Sequence, residues 1–168
     1  MASTLTTDVG FSLVANLVEL LDLSVRSNPT AYQRSFTLAS GTGAGQADII
    51  FHDQRTLTSA QVENLRFRGT LADPFGATVQ MVRLKALVVY SSSSNTTDIN
   101  LSRTAGAGIP LFLASGDGIY IKPGGLIFWV ATDATAIIVT PTTADNLTIT
   151  NAAGASAVYD IIAIGASA

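Results

Sequence analysis

The chain contains no cysteine, so neither a disulfide framework nor thiolate chemistry is open to it. Charge is scarce: Lys, Arg, Asp and Glu make up 12% of the 168 residues, against about 25% in an average soluble domain. Between Lys122 and Ala168 the only ionisable side chains are Asp133, Asp145, Tyr159 and Asp160. No apolar run approaches the ~18 residues that a membrane helix needs. The start, Met1-Ala2-Ser3-Thr4, lacks the basic segment and apolar block of a secretion signal. The expectation is therefore a chain made in and released into a cytoplasm, with no membrane partner. Nine basic residues are scattered among twelve acidic ones, for a net charge of −3. A nucleic-acid footprint needs a basic patch with aromatic neighbours. The nearest approach is Arg66 with Arg68, and Arg83 with Lys85, each pair at i, i+2 spacing. On strands these project to one face and read as solvated or ion-paired, so nucleic acid is not an expected partner.

What the chain does have is apolar and small: 48% hydrophobic residues and 14 glycines, with much of the remainder Ser and Thr. Its length suits one domain, and its composition is the reverse of a disordered segment. A lone small protein keeps a mixed, charged surface for solubility. An exterior of Thr, Ser, Ala and Gly suits a subunit whose surface meets neighbours.

Short β-prone runs recur between turn residues. They are Phe36–Ala39, Ala47–His52, Val62–Arg68, Val79–Tyr90, Asp98–Ser102, Gly118–Lys122, Leu126–Ala131, Ala136–Thr140, Leu147–Thr150 and Ala157–Ile164. Ser115-Gly116-Asp117-Gly118, Pro123-Gly124-Gly125, Pro141 and Asn151-Ala152-Ala153-Gly154 punctuate them. The fold class is all-β: an antiparallel β-sandwich, jelly-roll-like, with an extended N-terminal arm. Residues 1–30 are assigned to the arm or first strands and residues 31–168 to the sandwich. Phe11–Leu23 fits two periods, helical through Val14, Leu17, Val18 and Leu21, and strand-like through Phe11, Leu13, Ala15 and Leu17. No N-cap box precedes it, which favours an extended segment over a short amphipathic helix. The core is expected to include Leu65, Phe67, Leu87, Val89, Ile127, Trp129, Ile138, Tyr159, Ile161 and Ile162.

No motif carries catalysis. His52 is the only histidine; its neighbour Asp53 at i+1 faces the other way on a strand, and it reads as a buried or turn-stabilising residue with a hydrogen bond rather than a general base. Neither His/Cys pairing nor the spacing of a calcium loop is present, so no metal is expected. Gly41-x-Gly43-x-Gly45 is followed by a strand-like run rather than a helix, and so reads as a flexible loop and not a phosphate cradle. Asn95-Thr96-Thr97, Asn100-Leu101-Ser102 and Asn146-Leu147-Thr148 match the glycosylation triplet by chance. Tyr90, Tyr120, Trp129 and Tyr159 sit in strand-like runs, as core or subunit-contact residues. The expectation is a protein that is not an enzyme and takes no cofactor.

Several segments carry a resemblance. They are Ala47-Asp48-Ile49-Ile50-Phe51-His52-Asp53-Gln54-Arg55-Thr56-Leu57, Leu71-Ala72-Asp73-Pro74-Phe75-Gly76, Val82-Arg83-Leu84-Lys85-Ala86-Leu87, Lys122-Pro123-Gly124-Gly125, Thr143-Ala144-Asp145-Asn146-Leu147 and Tyr159-Asp160-Ile161-Ile162-Ala163-Ile164-Gly165. Across residues 45–168 these resemble small structural proteins encoded in the head-gene region of tailed bacteriophages. The resemblance implies a virion component, specifically a capsid decoration (cement) protein on the capsid surface that bridges major capsid protein subunits. Its expected form is a homo-oligomer, a trimer, with Phe11, Leu13, Leu17 and Leu21 as subunit or capsid contacts. A tail or neck component and a carbohydrate-binding host-adsorption module are the alternatives.

Overall fold

In a computed structural model, which describes residues 4–168, the chain forms fourteen strands and, among those residues, no helix. In chain order they are β1 (Thr7–Leu20), β2 (Val25–Ser40), β3 (Gln46–Ala47), β4 (Ile49–Leu57), β5 (Val62–Arg66), β6 (Arg68–Ala72), β7 (Thr78–Gln80), β8 (Arg83–Ser91), β9 (Ile99–Ser102), β10 (Gly118–Ile121), β11 (Leu126–Val130), β12 (Ile137–Ile138), β13 (Asn146–Asn151) and β14 (Ala157–Ala166). The runs read from sequence coincide with these strands to within a few residues. The exceptions are β6 and β7, a small hairpin closed by Asp73–Gly76, and the long pair β1–β2.

Eight strands build two antiparallel sheets, ordered β4-β14-β8-β11 and β5-β13-β9-β10. β12 extends the β11 edge by pairing with β8 at Leu84 and Arg83. Alternate side chains of both sheets meet between them. Leu87 and Val89 of β8, Ile161 and Ala163 of β14, Leu65 of β5, Leu101 of β9 and Ile149 of β13 are fully buried in one cluster with Phe67 and Tyr159. Burial of this kind, at about 25 cal/mol per Å² of apolar surface, drives the collapse. The all-β sandwich expected from turn spacing is the fold observed.

Within it, two expected core residues point outward. Ile138 is exposed, because strand parity puts Val139 in the core and Ile137 against it. Ile162 faces away from the core beside buried Ile161, since successive strand residues alternate faces. Ile127 and Trp129 pack against the core while only partly buried. His52 is likewise not buried. It lies exposed on the outer face of β4, opposite Ile162.

A polar chain crosses the open edge of the sandwich. Buried Tyr159 donates its hydroxyl to Glu63 Oε2 at 2.7 Å. Glu63 pairs with Arg55, whose Nε lies 3.1 Å from Asp53 Oδ2. Burial, with the bond to Glu63 adding to it, raises the Tyr159 pKa well above that of a free phenol. A second polar feature follows from a bulge. Ile164 pairs with Ala86 but Gly165 pairs with Leu84, so Lys85 is the extra residue on β8. The bulge aims its fully buried side chain at the carbonyls of Gly43 and Asp133. Burial pulls the Lys85 pKa down, partly opposed by Asp133. This ammonium helps pin the glycine loop. Gly43 N also donates to Gln46 Oε1 at 2.8 Å, and Gly45 N donates to Thr132 O at 2.7 Å. The expected flexible loop is instead a tied turn that leads β2 into its parallel pairing with β3.

Of the clustered cations, Arg66, Arg83 and Lys85 are ion-paired or carbonyl-bound, whereas Arg68 has no side-chain partner among the described residues and its Nε is buried without one. Arg66 Nη2 lies 3.1 Å from Oδ2 of fully buried Asp145, and Arg83 donates to the carbonyls of Thr42 and Ala168.

Candidate functional site

β1 and β2 form one hairpin in unbroken antiparallel register from Thr7↔Leu38 to Leu20↔Val25. At ~3.4 Å per residue its 14 paired positions extend ~48 Å. Leu21 and Ser24 exchange backbone hydrogen bonds around Asp22-Leu23, which closes the turn with two residues. The strand β2 runs without a break through Pro29, paired with Asn16, so the extended segment continues past residue 30 to Ser40. Proline is tolerated there because β2 has its second neighbour, β3, only at Ala39 and Ser40. Phe11–Leu20 is strand, not helix.

Residues opposite each other in an antiparallel pair share a face. One face therefore carries Val9, Phe11, Leu13, Ala15 and Leu17 of β1, with Phe36, Arg34, Tyr32, Thr30 and Asn28 of β2 across from them. Phe11 and Tyr32 rings stand 6.3 Å apart, and the Arg34 guanidinium sits 4.5 Å above the Tyr32 ring. The other face is polar toward the body. Thr37 donates to Asp8 at 2.7 Å, Gln33 to Ser12 at 3.3 Å and Ser27 to Asn16 at 3.1 Å. It becomes apolar at the far end, through Val18, Leu20 and Val25. Leu17 is 75% exposed and Leu20 82%. A two-stranded hairpin in water is marginally stable on its own, and here it projects a stripe of large apolar side chains.

At the base this stripe continues into the protein. Leu38 is buried with Ala47, Ala86 and Ile164, and Val9 packs against them. That small cluster lies on the outer face of the β4-β14-β8-β11 sheet. The outer face of an antiparallel sheet is normally polar. Here it presents Val88 on β8, Leu126 and Phe128 on β11, and Ile162 on β14. Leu126 is 57% exposed and Ile162 38%. Between this face and Thr7–Phe11 runs an open cleft of about 330 Å³. Its lining is apolar apart from Thr7 and Asp8, and it has none of the converging polar groups that orient a small ligand.

Of the four contact residues expected from sequence, the fold brings Phe11, Leu13 and Leu17 onto one face and places Leu21 in the turn. Sequence reasoning missed Val18, Leu20, Leu23, Val25 and Tyr32 on the hairpin, and the outward Leu126 and Ile162 on the sheet. The alternating apolar positions of β1 carried a signal for the first group. The unbroken run Leu126–Val130 carried one for the second, because a strand apolar on both sides marks a sheet covered on both faces.

Elsewhere, an aspartate holds a turn. The Asp133 carboxylate accepts from the amides of Ala136 and Thr135, which hold its pKa below the usual carboxylate range. His52 has Gln54 and Asp160 on its face, and Gln54 donates to Asp160 at 2.8 Å. Among the described residues, no three His, Cys, Asp or Glu side chains are placed to hold a metal ion. Compared with protein-family models, curated proteins and solved structures, the chain matches none of them.

Proposed function

We propose that the chain is a structural subunit of a large assembly, and specifically a capsid decoration protein that works as a homotrimer. The observation that carries this reading is the projecting apolar hairpin, whose side chains gain stability only when a neighbour covers them. The segments that resemble phage head-region proteins support it from a second direction. Ala47–Leu57, Val82–Leu87 and Tyr159–Gly165 fall on β4, β8 and β14, three adjacent strands of one sheet. We also read the sandwich as a jelly roll. In support, β4–β5, β8–β9, β10–β11 and β13–β14 each cross from one sheet to the other, in the strand order of a double Greek key.

The mechanism is mechanical. A trimer clipped across neighbouring shell subunits turns each further contact into an intramolecular one, raising avidity without tighter individual contacts, and so resists internal pressure. The work needs surface, a rigid body and symmetry, not a reacting group. Light scattering of the purified chain is the first test, with about three times 17.4 kDa expected. Co-sedimentation with undecorated phage capsid shells is the second. Co-sedimentation with shells but not tails separates decoration from a tail or neck role. A stable monomer at micromolar concentration that binds no shell would refute the proposal.

A further inference from the structure

We infer that the hairpin of one copy seats on the outer face of the β4-β14-β8-β11 sheet of the next copy, beside that copy's own hairpin base. This rests on the assembly reading above and names the surface through which copies join.

The chain carries both halves of such a contact. One half is the hairpin face of Phe11, Leu13 and Leu17. The other is the sheet face of Val88, Leu126, Phe128 and Ile162. A chain's own hairpin cannot fill its own seat, because only Thr7–Phe11 line the cleft and the strand beyond Phe11 leads away from it. Leu17 lies six residues past Phe11, about 20 Å along the strand. Each copy is thus left with an uncovered seat and an uncovered arm of matching chemistry. Handing the arm to the next copy covers both, and a closed ring does so for every copy at once.

Area decides how the arm must lie. From Phe11 to Leu20 the hairpin runs about 34 Å, and two strands are about 10 Å wide, so each face offers roughly 340 Å². A stable interface buries about 800 Å² per partner, so one face is too little. Seating the first face on a neighbouring sheet while Val18, Leu20 and Val25 of the second face meet a neighbour doubles the area to roughly 700 Å², near the required size. Charge fits the same placement. The seat is rimmed by Asp160, which makes no ion pair among the described residues. The hairpin face ends in exposed Arg26, held only loosely by Glu19 at 3.8 Å.

The lack of cysteine permits a clean test. Leu17→Cys and Leu126→Cys chains are prepared separately, mixed, and oxidised under mild conditions. A disulfide joining one of each is expected, at several times the yield of either chain with itself. Leu126→Glu changes an exposed residue, and in the folded protein it is expected to shift the mass toward monomer. If the chain is oligomeric while Leu126→Glu leaves the mass unchanged and no mixed disulfide forms, the seat is wrong and the assembly reading stands. If the unsubstituted chain is itself a monomer, the seat is wrong, and the assembly reading fails with it when the chain also binds no shell.

Discussion

Tyr159→Phe tests the buried polar chain, and its effect should reverse sign with pH. The tyrosine is fully buried and its hydroxyl donates to Glu63 Oε2 at 2.7 Å. A hydrogen bond to a charged acceptor contributes about 1.5–3 kcal/mol. Glu63 keeps Arg55 as a partner in the variant, and about a fifth of its side chain is exposed to water. The loss at pH 7 should therefore sit at the low end, about 1.5–2 kcal/mol. Removing one oxygen leaves the ring packing in place, so no cavity adds to this.

The sign of the pH dependence follows from the raised phenol. The unfolded tyrosine ionises near its ordinary value of 10.0, whereas the folded one holds its proton to higher pH. The tyrosine's contribution is thus fully present below pH 10. Above it, the unfolded state loses a proton that the folded state retains, and stability falls by about 1.4 kcal/mol per pH unit until the folded value is reached. Phenylalanine has no such slope. The deficit of the variant should vanish about 1–1.5 pH units above 10 and then become an advantage. Lys85, with its lowered pKa, also titrates differently in the two states, but identically in both proteins, so the difference cancels it. Urea unfolding of both proteins at pH 7, 10 and 11.5, at one protein concentration, gives the comparison. A difference that is the same at all three pH values would show that the hydroxyl is not held as a buried donor.

Two further predictions concern packing. Ile161→Ala should cost about 2–5 kcal/mol, while Ile162→Ala on the outer face should cost well under half of that in a monomeric background; equal losses in urea unfolding would overturn the assigned parity. Gly165→Ala should destabilise by about 1–3 kcal/mol, the usual range for overpacking, because its Cβ would meet the Arg83 carbonyl oxygen at 2.3 Å and the Met81 side chain at 2.5 Å. An unchanged melting temperature for Gly165→Ala would mean that the bulge beside it relaxes freely.

Most of the sandwich is legible in the sequence because its strands are short, half-buried and bounded by Gly, Pro and Asn, so the two-residue period and its stops lie close together. Parity was harder. In Ile161-Ile162 both residues are apolar, and only the three-dimensional fold says which faces the core. The same ambiguity runs through β1, where Val14 and Val18 on one face and Phe11, Leu13 and Leu17 on the other satisfy a helical and a strand period together, and only the missing N-cap box favours the extended form. β2 was obscured for the opposite reason. Arg26-Ser27-Asn28-Pro29-Thr30 reads as a turn, and only pairing along one edge makes it a strand. The bulge at Lys85 is a property of register between β8 and β14 and leaves no mark on either segment alone.

Those two-sided apolar strands are also what connects fold to function. A strand that serves one core needs one apolar face, and the other is free to be polar. β11 carries Ile127 and Trp129 toward the core and Leu126 and Phe128 away from it. β8 does the same with Leu87 and Val89 against Val88. Selection for a lone soluble sandwich would have no reason to keep Leu126 and Phe128 apolar, since a polar residue there leaves the core untouched and improves solubility. The hairpin raises the same question more sharply, because every residue from Leu13 to Ser35 is exposed and contributes nothing to the core. Two apolar surfaces without a purpose inside the chain, both on one chain, are what the proposed contact between copies would account for together. Neither is accounted for by chemistry at a pocket.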